Sequence, residues 1–164
     1  MIEALALLIL ANATPVVVSR LLGERGAAPI DAGRAFADGR PIFGPHKTWR
    51  GLIAGIVAAG LGGSALGVGL LVGAAFGALA LTGDLGSSFV KRRLGRESGA
   101  NMPLLDQLPE ALLPMVVLCE PLGLSIWSMT GSAAAFLVLD LIASRLWVRR
   151  QSCAAPATDR APER

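Results

Sequence analysis

The sequence predicts an all-α fold, a polytopic transmembrane helical bundle of about five spans with the N-terminus outside and the C-terminus cytoplasmic. Three observations carry that expectation. Of 164 residues, 53% are hydrophobic and only 16% charged, too apolar a balance for a soluble domain of this length. Gly51 to Gly83 contains no charged residue; as one straight helix it would run to about 50 Å, against a hydrocarbon core of roughly 30 Å, so it must fold back. The fifteen basic residues all fall in three clusters, Arg20 to Arg50, Lys91 to Arg96 and Arg145 to Arg164. Placing all three on the cytoplasmic side obeys the positive-inside rule and requires an even number of spans between them. The net charge of +3 therefore reads as topology, and nucleic acid is not expected as a partner.

The first span is expected from Met1 to about Val18, weakened at its inner end by Asn12, Thr14 and Pro15 and closed by Arg20. Glu3 stands where a secretory signal would be basic, so the segment reads as a span that stays. Residues 19–50 then form a long polar cytoplasmic loop, and loops of that length are more often functional than idle. The second and third spans, Thr48 to Leu66 and Val68 to about Phe89, are expected to turn at Gly67 and Gly69. Gly51/Gly55, Gly63/Gly67, Gly69/Gly73 and Gly73/Gly77 have the small-xxx-small spacing that lets helices approach closely. Intramolecular packing is the reading preferred over dimerisation, with a homodimer left open. A second cytoplasmic segment covers residues 87–108. The fourth span, about Pro109 to Trp127, carries Pro114 and Pro121 and is expected to kink, and the fifth ends at Trp147. Trp127 falls at the outer interface and Trp49 and Trp147 at the inner one. Residues 1–150 thus form one transmembrane domain, and 151–164, rich in Ala, Pro and charge, a disordered cytoplasmic tail.

Asp84 follows the uncharged run where the third span reaches the cytoplasmic face. An ionisable residue at such depth is costly unless paired or bound to an ion, and it is a functional-site candidate by default. Ser87, Ser88, Lys91, Arg92 and Arg93 follow it; for Arg92 and Arg93, plain positive-inside anchoring is an equal reading. Thirteen of the fifteen basic residues are Arg, and the two lysines, Lys47 and Lys91, stand one in each cytoplasmic segment. A compact ammonium suits point contact with phosphate. Asp106 begins the return to the membrane. Two carboxylates faced by lysines are what a magnesium-bound triphosphate requires, although on spacing alone a salt bridge or a helix cap is the preferred account of Asp106. Glu120 and Asp140 fall inside the fourth and fifth spans, where a buried hydrogen-bonded pairing is the reading preferred over transport or lipid-headgroup contact. Cys119 and Cys153 lie at different depths and make poor disulfide partners.

HKTWRGLIAG resembles the KTW-x-G-x-x-x-G element of phosphatidate cytidylyltransferases. GDLGSSFVKRRLG followed by LLDQL is similar to their GD-x-x-x-S-x-x-KR stretch and downstream Asp motif. PIDAG, FADGRPIFG and the LDQ form of the last motif more closely resemble the CDP-archaeol synthase branch of that superfamily, and the similarity covers roughly Asn12 to Glu110. The resemblance implies a nucleotidyltransferase of lipid metabolism in the cell membrane with its site facing the cytoplasm: a lipid phosphate attacks the α-phosphorus of CTP, magnesium assists, pyrophosphate leaves and a CDP-lipid remains. By motif, Lys47, Thr48 and Arg50 would belong to the loop near the nucleotide. Asp84 and Asp106 would hold magnesium, and Ser87, Ser88, Lys91 and Arg92 would contact phosphates, with Asp84, Lys91 and Asp106 as the catalytic set. The implied chemistry needs positioning and charge stabilisation more than a protein nucleophile, so His46 is expected to be incidental. The chain departs from the family pattern at Pro109, where a second Asp is usual, with Glu110 one place on; this leaves a second metal open. The His-Gly-Gly element of the phosphatidate enzymes is absent, which makes CTP a firmer expectation than any one lipid acceptor. A CTP-dependent polyprenol or lipid kinase, and a non-catalytic membrane transporter or assembly protein, are the rival readings.

Overall fold

The computed structural model describes residues 1–96 and 102–154. They form five α-helices: α1 (Ile2–Leu22), α2 (Trp49–Ala65), α3 (Leu70–Arg93), α4 (Pro103–Val117) and α5 (Ile126–Ala154). Three are long and apolar enough to cross a membrane, namely α1, α3 and the Ile126–Ala143 part of α5. α2 has 17 residues and α4 has 15, below the roughly 20 that a bilayer core asks of a straight helix.

The predicted turn at Gly67 and Gly69 separates α2 from α3, and both glycines have positive φ, 75° and 99°. The fourth helix differs from expectation. α4 starts at Pro103, six residues before the expected boundary, and ends at Val117. Pro103 at the first helical position has no N–H that the helix would miss, so it initiates the helix well. Pro121, expected inside a span, lies in the turn beyond α4, and exposed Glu120 lies there with it, its carbonyl accepting from Gly123 N (3.0 Å). At the other edge of the segment α3 runs on to Arg93, so Ser87, Ser88, Lys91 and Arg92 are helical. The tail proposed for 151–164 lies outside the described residues from 155 onward.

The helices form a packed ring. α2 lies against α1 and α3, α3 against α4, α4 against α5, and α1 also touches α3 and α5. The core draws on all five, with Leu7 and Leu8 from α1, Phe76 from α3, Met115 from α4 and Phe136 from α5 fully or nearly buried. At the α2–α3 contact a Cβ on Gly63 would come within 2.7 Å of the Gly73 Cα; only paired glycines allow backbones so near, and this meets the intramolecular expectation. The outer surface is apolar: Val17, Ile53, Leu61, Leu71, Trp127 and Ile142 are all exposed. A bundle whose helices meet through glycines and which turns large apolar side chains outward suits a lipid surround.

Candidate active site

Residues 23–48, between α1 and α2, lack regular strands but are tightly cross-tied. Ile30 N donates to Lys47 O (2.8 Å) and Trp49 N to Ala28 O (3.1 Å). Thr48 accepts from Gly51 N (3.3 Å) and so caps α2, an ordinary use of threonine at that position. The Lys47 side chain leaves from this fixed point. Its Nζ donates to both oxygens of Asp84 on α3, at 2.7 and 2.6 Å.

A second ion pair joins the next helices. Lys91, seven residues and about 10 Å beyond Asp84 along α3, places Nζ 2.7 Å from Oδ1 of Asp106, in the first turn of α4. Oδ2 of Asp106 accepts from Met102 N (3.2 Å). The salt bridge and the helix-start role weighed for Asp106 are thus both present. One residue before Asp84, Gly83 lets α4 reach α3: a Cβ there would collide with the Pro109 carbonyl and come within 2.8 Å of Glu110 N. Glu110 is buried, 7% exposed, and Asp84, Lys47, Asp140 and Asp106 are the charged groups acting on it. From the same helix Gln107 donates to Asp140 Oδ2 on α5 (2.5 Å); Asp140 is exposed, so the buried pairing expected of it is met in the bond and not in the burial.

A cavity of about 810 Å³ opens beside Asp84, within the size range of small-molecule sites. Lys47, Thr48, Arg50, Asp84 and Glu110 line it, and α1 contributes both polar (Asn12, Ser19) and apolar (Pro15, Val16) side chains. His46, expected to be incidental, lines it too. Arg50 turns its guanidinium to the carbonyls of Gly23 and Arg25, closing the loop on the end of α1.

Five of the sequence-predicted residues do not line this cavity: Ser87, Ser88, Lys91, Arg92 and Asp106. Ser87 (1% exposed) gives its hydroxyl to the Asp84 carbonyl (2.9 Å), and Ser88 is 4% exposed. Arg92 (5% exposed) donates to the Arg96 carbonyl (2.5 Å). Sequence reasoning overlooked two features. Glu110 is a cavity acid, and its spacing of four from Asp106, which puts both on one helix face, was the available signal. Arg93, read as an anchor, is a clasp: it donates to Asp38, to Arg40 O (3.2 Å) and to Pro41 O (2.6 Å), and stacks on Phe36 and Phe89. Arg40 answers by donating to Arg93 O (2.9 Å).

The CarS-like CDP-archaeol synthase family model matches residues 1–72 and 64–149. The chain belongs to this family. A CDP-archaeol synthase of Aeropyrum pernix is 41% identical over 157 residues, covering 87% of this chain and 84% of that protein. Those of Staphylothermus marinus and Hyperthermus butylicus are 39% and 48% identical over 112 and 104 residues; the matches cover 63% and 60% of this chain. In these two relatives the match spans about three fifths of their length, 59% each. A solved intramembrane enzyme for archaeal membrane lipid biosynthesis superposes with a TM-score of 0.71 at 38% identity, over 87% of this chain and 91% of that one. The CDP-archaeol synthase family likeness thus extends over the helices that carry both ion pairs.

Proposed function

We propose that this chain is a membrane-embedded CTP:lipid-phosphate cytidylyltransferase that forms a CDP-activated lipid and pyrophosphate. The observation that carries the reading is the Lys47–Asp84 pair at the wall of a cavity lined by both polar and apolar side chains. A mixed lining suits substrates of two kinds, a nucleotide triphosphate and a lipid phosphate. In the reaction an oxygen of the lipid phosphate bonds to the α-phosphorus, the bond from that phosphorus to the bridging oxygen breaks, and pyrophosphate leaves with the electron pair.

The donor set fits magnesium. Among the described residues no three of His, Cys, Asp or Glu converge on one point, and magnesium is ordinarily held by one or two carboxylates together with substrate phosphates and water. Asp84, which lines the cavity, would be one of these carboxylates; Asp106, the second carboxylate the resemblance implies, is held by Lys91 and Met102 N outside the cavity lining and would have to turn toward the nucleotide to join it. Magnesium, when bound, would draw charge from the phosphate oxygens and ease departure of pyrophosphate. Lys47 would shift from its carboxylate to a phosphate oxygen, a short movement for a flexible stem. Lys91 holds the Asp106 carboxylate in place. Thr48 and Arg50 hold the loop from which Lys47 projects, and Ser87, Ser88 and Arg92 act by supporting the α3 backbone. The site faces the cytoplasm at the plasma membrane, where the three basic clusters put the loop 19–50 and the C-terminus.

The test is purified protein in liposomes with CTP, magnesium and a panel of ether- and ester-linked lipid phosphates. Products are identified by mass, with label in the α or the γ position of CTP. α-Label in a CDP-lipid, lost on chelation of magnesium, is the expected result. γ-Label in the lipid would make the protein a CTP-dependent kinase, and no nucleotide binding would leave a non-catalytic membrane protein.

A further inference from the structure

PIDAG, Pro29 to Gly33, has no part in the reading above. Its Asp31 is 6% exposed and does not line the cavity. Both carboxylate oxygens are taken by backbone. Oδ1 accepts from Gly33 N (3.0 Å); Oδ2 accepts from Phe43 N (2.9 Å) and Gly44 N (2.9 Å). One side chain therefore joins two turns twelve residues apart. The first of these is strained: Ala32 is the one non-glycine at positive φ (49°) among the described residues, followed by Gly33 at 72°. An L-residue in that region is strained and needs its surroundings to hold it there.

The two turns converge on a single residue. Gly44, held through its N–H by Asp31, accepts from Lys47 N through its carbonyl (3.2 Å). Ile30, next to Asp31 in the chain, donates to Lys47 O (2.8 Å). One backbone polar group of Lys47 thus ends on Gly44, which the Asp31 carboxylate holds, and the other on Ile30, the chain neighbour of Asp31. Its side chain then spans to Asp84. A buried carboxylate that spends three of its roughly four acceptor sites on backbone N–H donors has little left for a ligand, so Asp31 reads as an organiser and not as a ligand.

We infer that Asp31 is a positioning residue, which sets the backbone of Lys47 so that its ammonium reaches Asp84 and the nucleotide. The inference rests on the cytidylyltransferase reading. It separates the roles of two aspartates: Asp84 stands at the cavity, and Asp31 acts only through Lys47.

The experiment is a double-variant cycle in the full-length protein, with equilibrium CTP binding as the readout and circular dichroism as the check on folding. Asp31→Asn keeps one acceptor oxygen and turns an NH₂ toward backbone donors, and is expected to weaken CTP binding by roughly tenfold. In a Lys47→Met background the same change should have an effect below about twofold. Equal weakening in both backgrounds would show general loop damage and overturn the inference, as would unchanged binding in the otherwise native chain. Hydrogen exchange of the native protein tests the same point if Asp31→Asn does not fold. The Phe43 and Gly44 amides should be protected by roughly a hundredfold or more; exchange at open-chain rates overturns the inference. Native protein that neither binds CTP nor forms CDP-lipid removes the cytidylyltransferase reading and this inference with it, whereas native activity with an uncoupled cycle removes the inference alone.

Discussion

Lys47 Nζ sits 2.7 Å from Oδ1 and 2.6 Å from Oδ2 of Asp84, so one ammonium from the loop before α2 grips both oxygens of a carboxylate on α3. The side chains are 28% and 22% exposed, enough contact with water to let the pair open. Asp84→Asn keeps the shape and removes the charge. Cytidylyl transfer should fall by roughly a hundredfold or more, while expression and membrane insertion are retained. Product mass from CTP and a lipid phosphate measures this, and an active Asp84→Asn protein rules out Asp84 as a metal ligand.

Lys91 and Asp106 form the drier pair, 10% and 20% exposed. Removing one partner leaves a poorly hydrated charge, a loss that reaches about 3–5 kcal/mol for fully buried pairs and is smaller here. Lys91→Met should therefore lower the unfolding temperature more than Lys47→Met, besides weakening CTP binding. Adding Asp106→Leu to Lys91→Met should recover much of that stability without restoring activity. Thermal unfolding in detergent decides it: no recovery in the double variant means that the unpaired carboxylate is not the cause.

Gly83 is where α3 and α4 touch backbone to backbone. An added methyl would meet the Pro109 carbonyl directly. Gly83→Ala should cost about 1–3 kcal/mol of stability, as other overpacked contacts do, and lower transfer activity by displacing Glu110 and Asp106 together. Gly86, whose Cβ would meet nothing within 4 Å, is the control, and equal losses at both positions would contradict the close-approach account.

Arg93 holds residues 36–41 against the end of α3 through hydrogen bonds and two ring contacts at 4.8 and 4.9 Å. Each ring contact contributes about 0.5–1 kcal/mol at an exposed site. Arg93→Ala should speed tryptic cleavage after Arg34 and Arg40 by roughly tenfold. Cleavage at the native rate would mean that the clasp does not restrain the loop.

Acidification tests Asp31. Burial alone would raise its carboxyl pKa, but the N–H groups of Gly44, Phe43 and Gly33 outweigh that and hold it below the ordinary value of 3.8. Because the folded value is depressed, the stabilisation is fully present above about pH 4 and is lost as pH falls through the lower folded value. Loop protection, followed by hydrogen exchange at the Phe43 and Gly44 amides and corrected for intrinsic rates, should hold from pH 7 to about 4.5 and decline below about 3.8. Asp31→Asn should flatten that profile.

Much of this molecule is determined by the sequence alone, because the signals are local or compositional. An uncharged run longer than a bilayer is thick forces the turn at Gly67 and Gly69, and an aspartate at the end of that run marks Asp84 before any coordinates exist. The ordered motifs around Lys47, Asp84 and Asp106 place the chain in its family for the same reason, since each is a short contiguous string. Helix ends were less legible: Pro103 starts α4 early because a first-turn proline is harmless, and hydropathy does not record that.

Only the tertiary structure decided which charges meet. Lys47 and Asp84 are 37 residues apart, Arg93 and Asp38 are 55 apart, and no periodicity encodes either pairing. The burial of Ser87, Ser88 and Arg92 follows from which face of α3 meets its neighbours, and Glu110 reaches the cavity because Gly83 admits α4. The Asp31 bond to Gly44 belongs to the same class. A sequence lists the charged groups and their depth, but their partners depend on where packed helices and loop turns bring them, and that is a property of the whole fold.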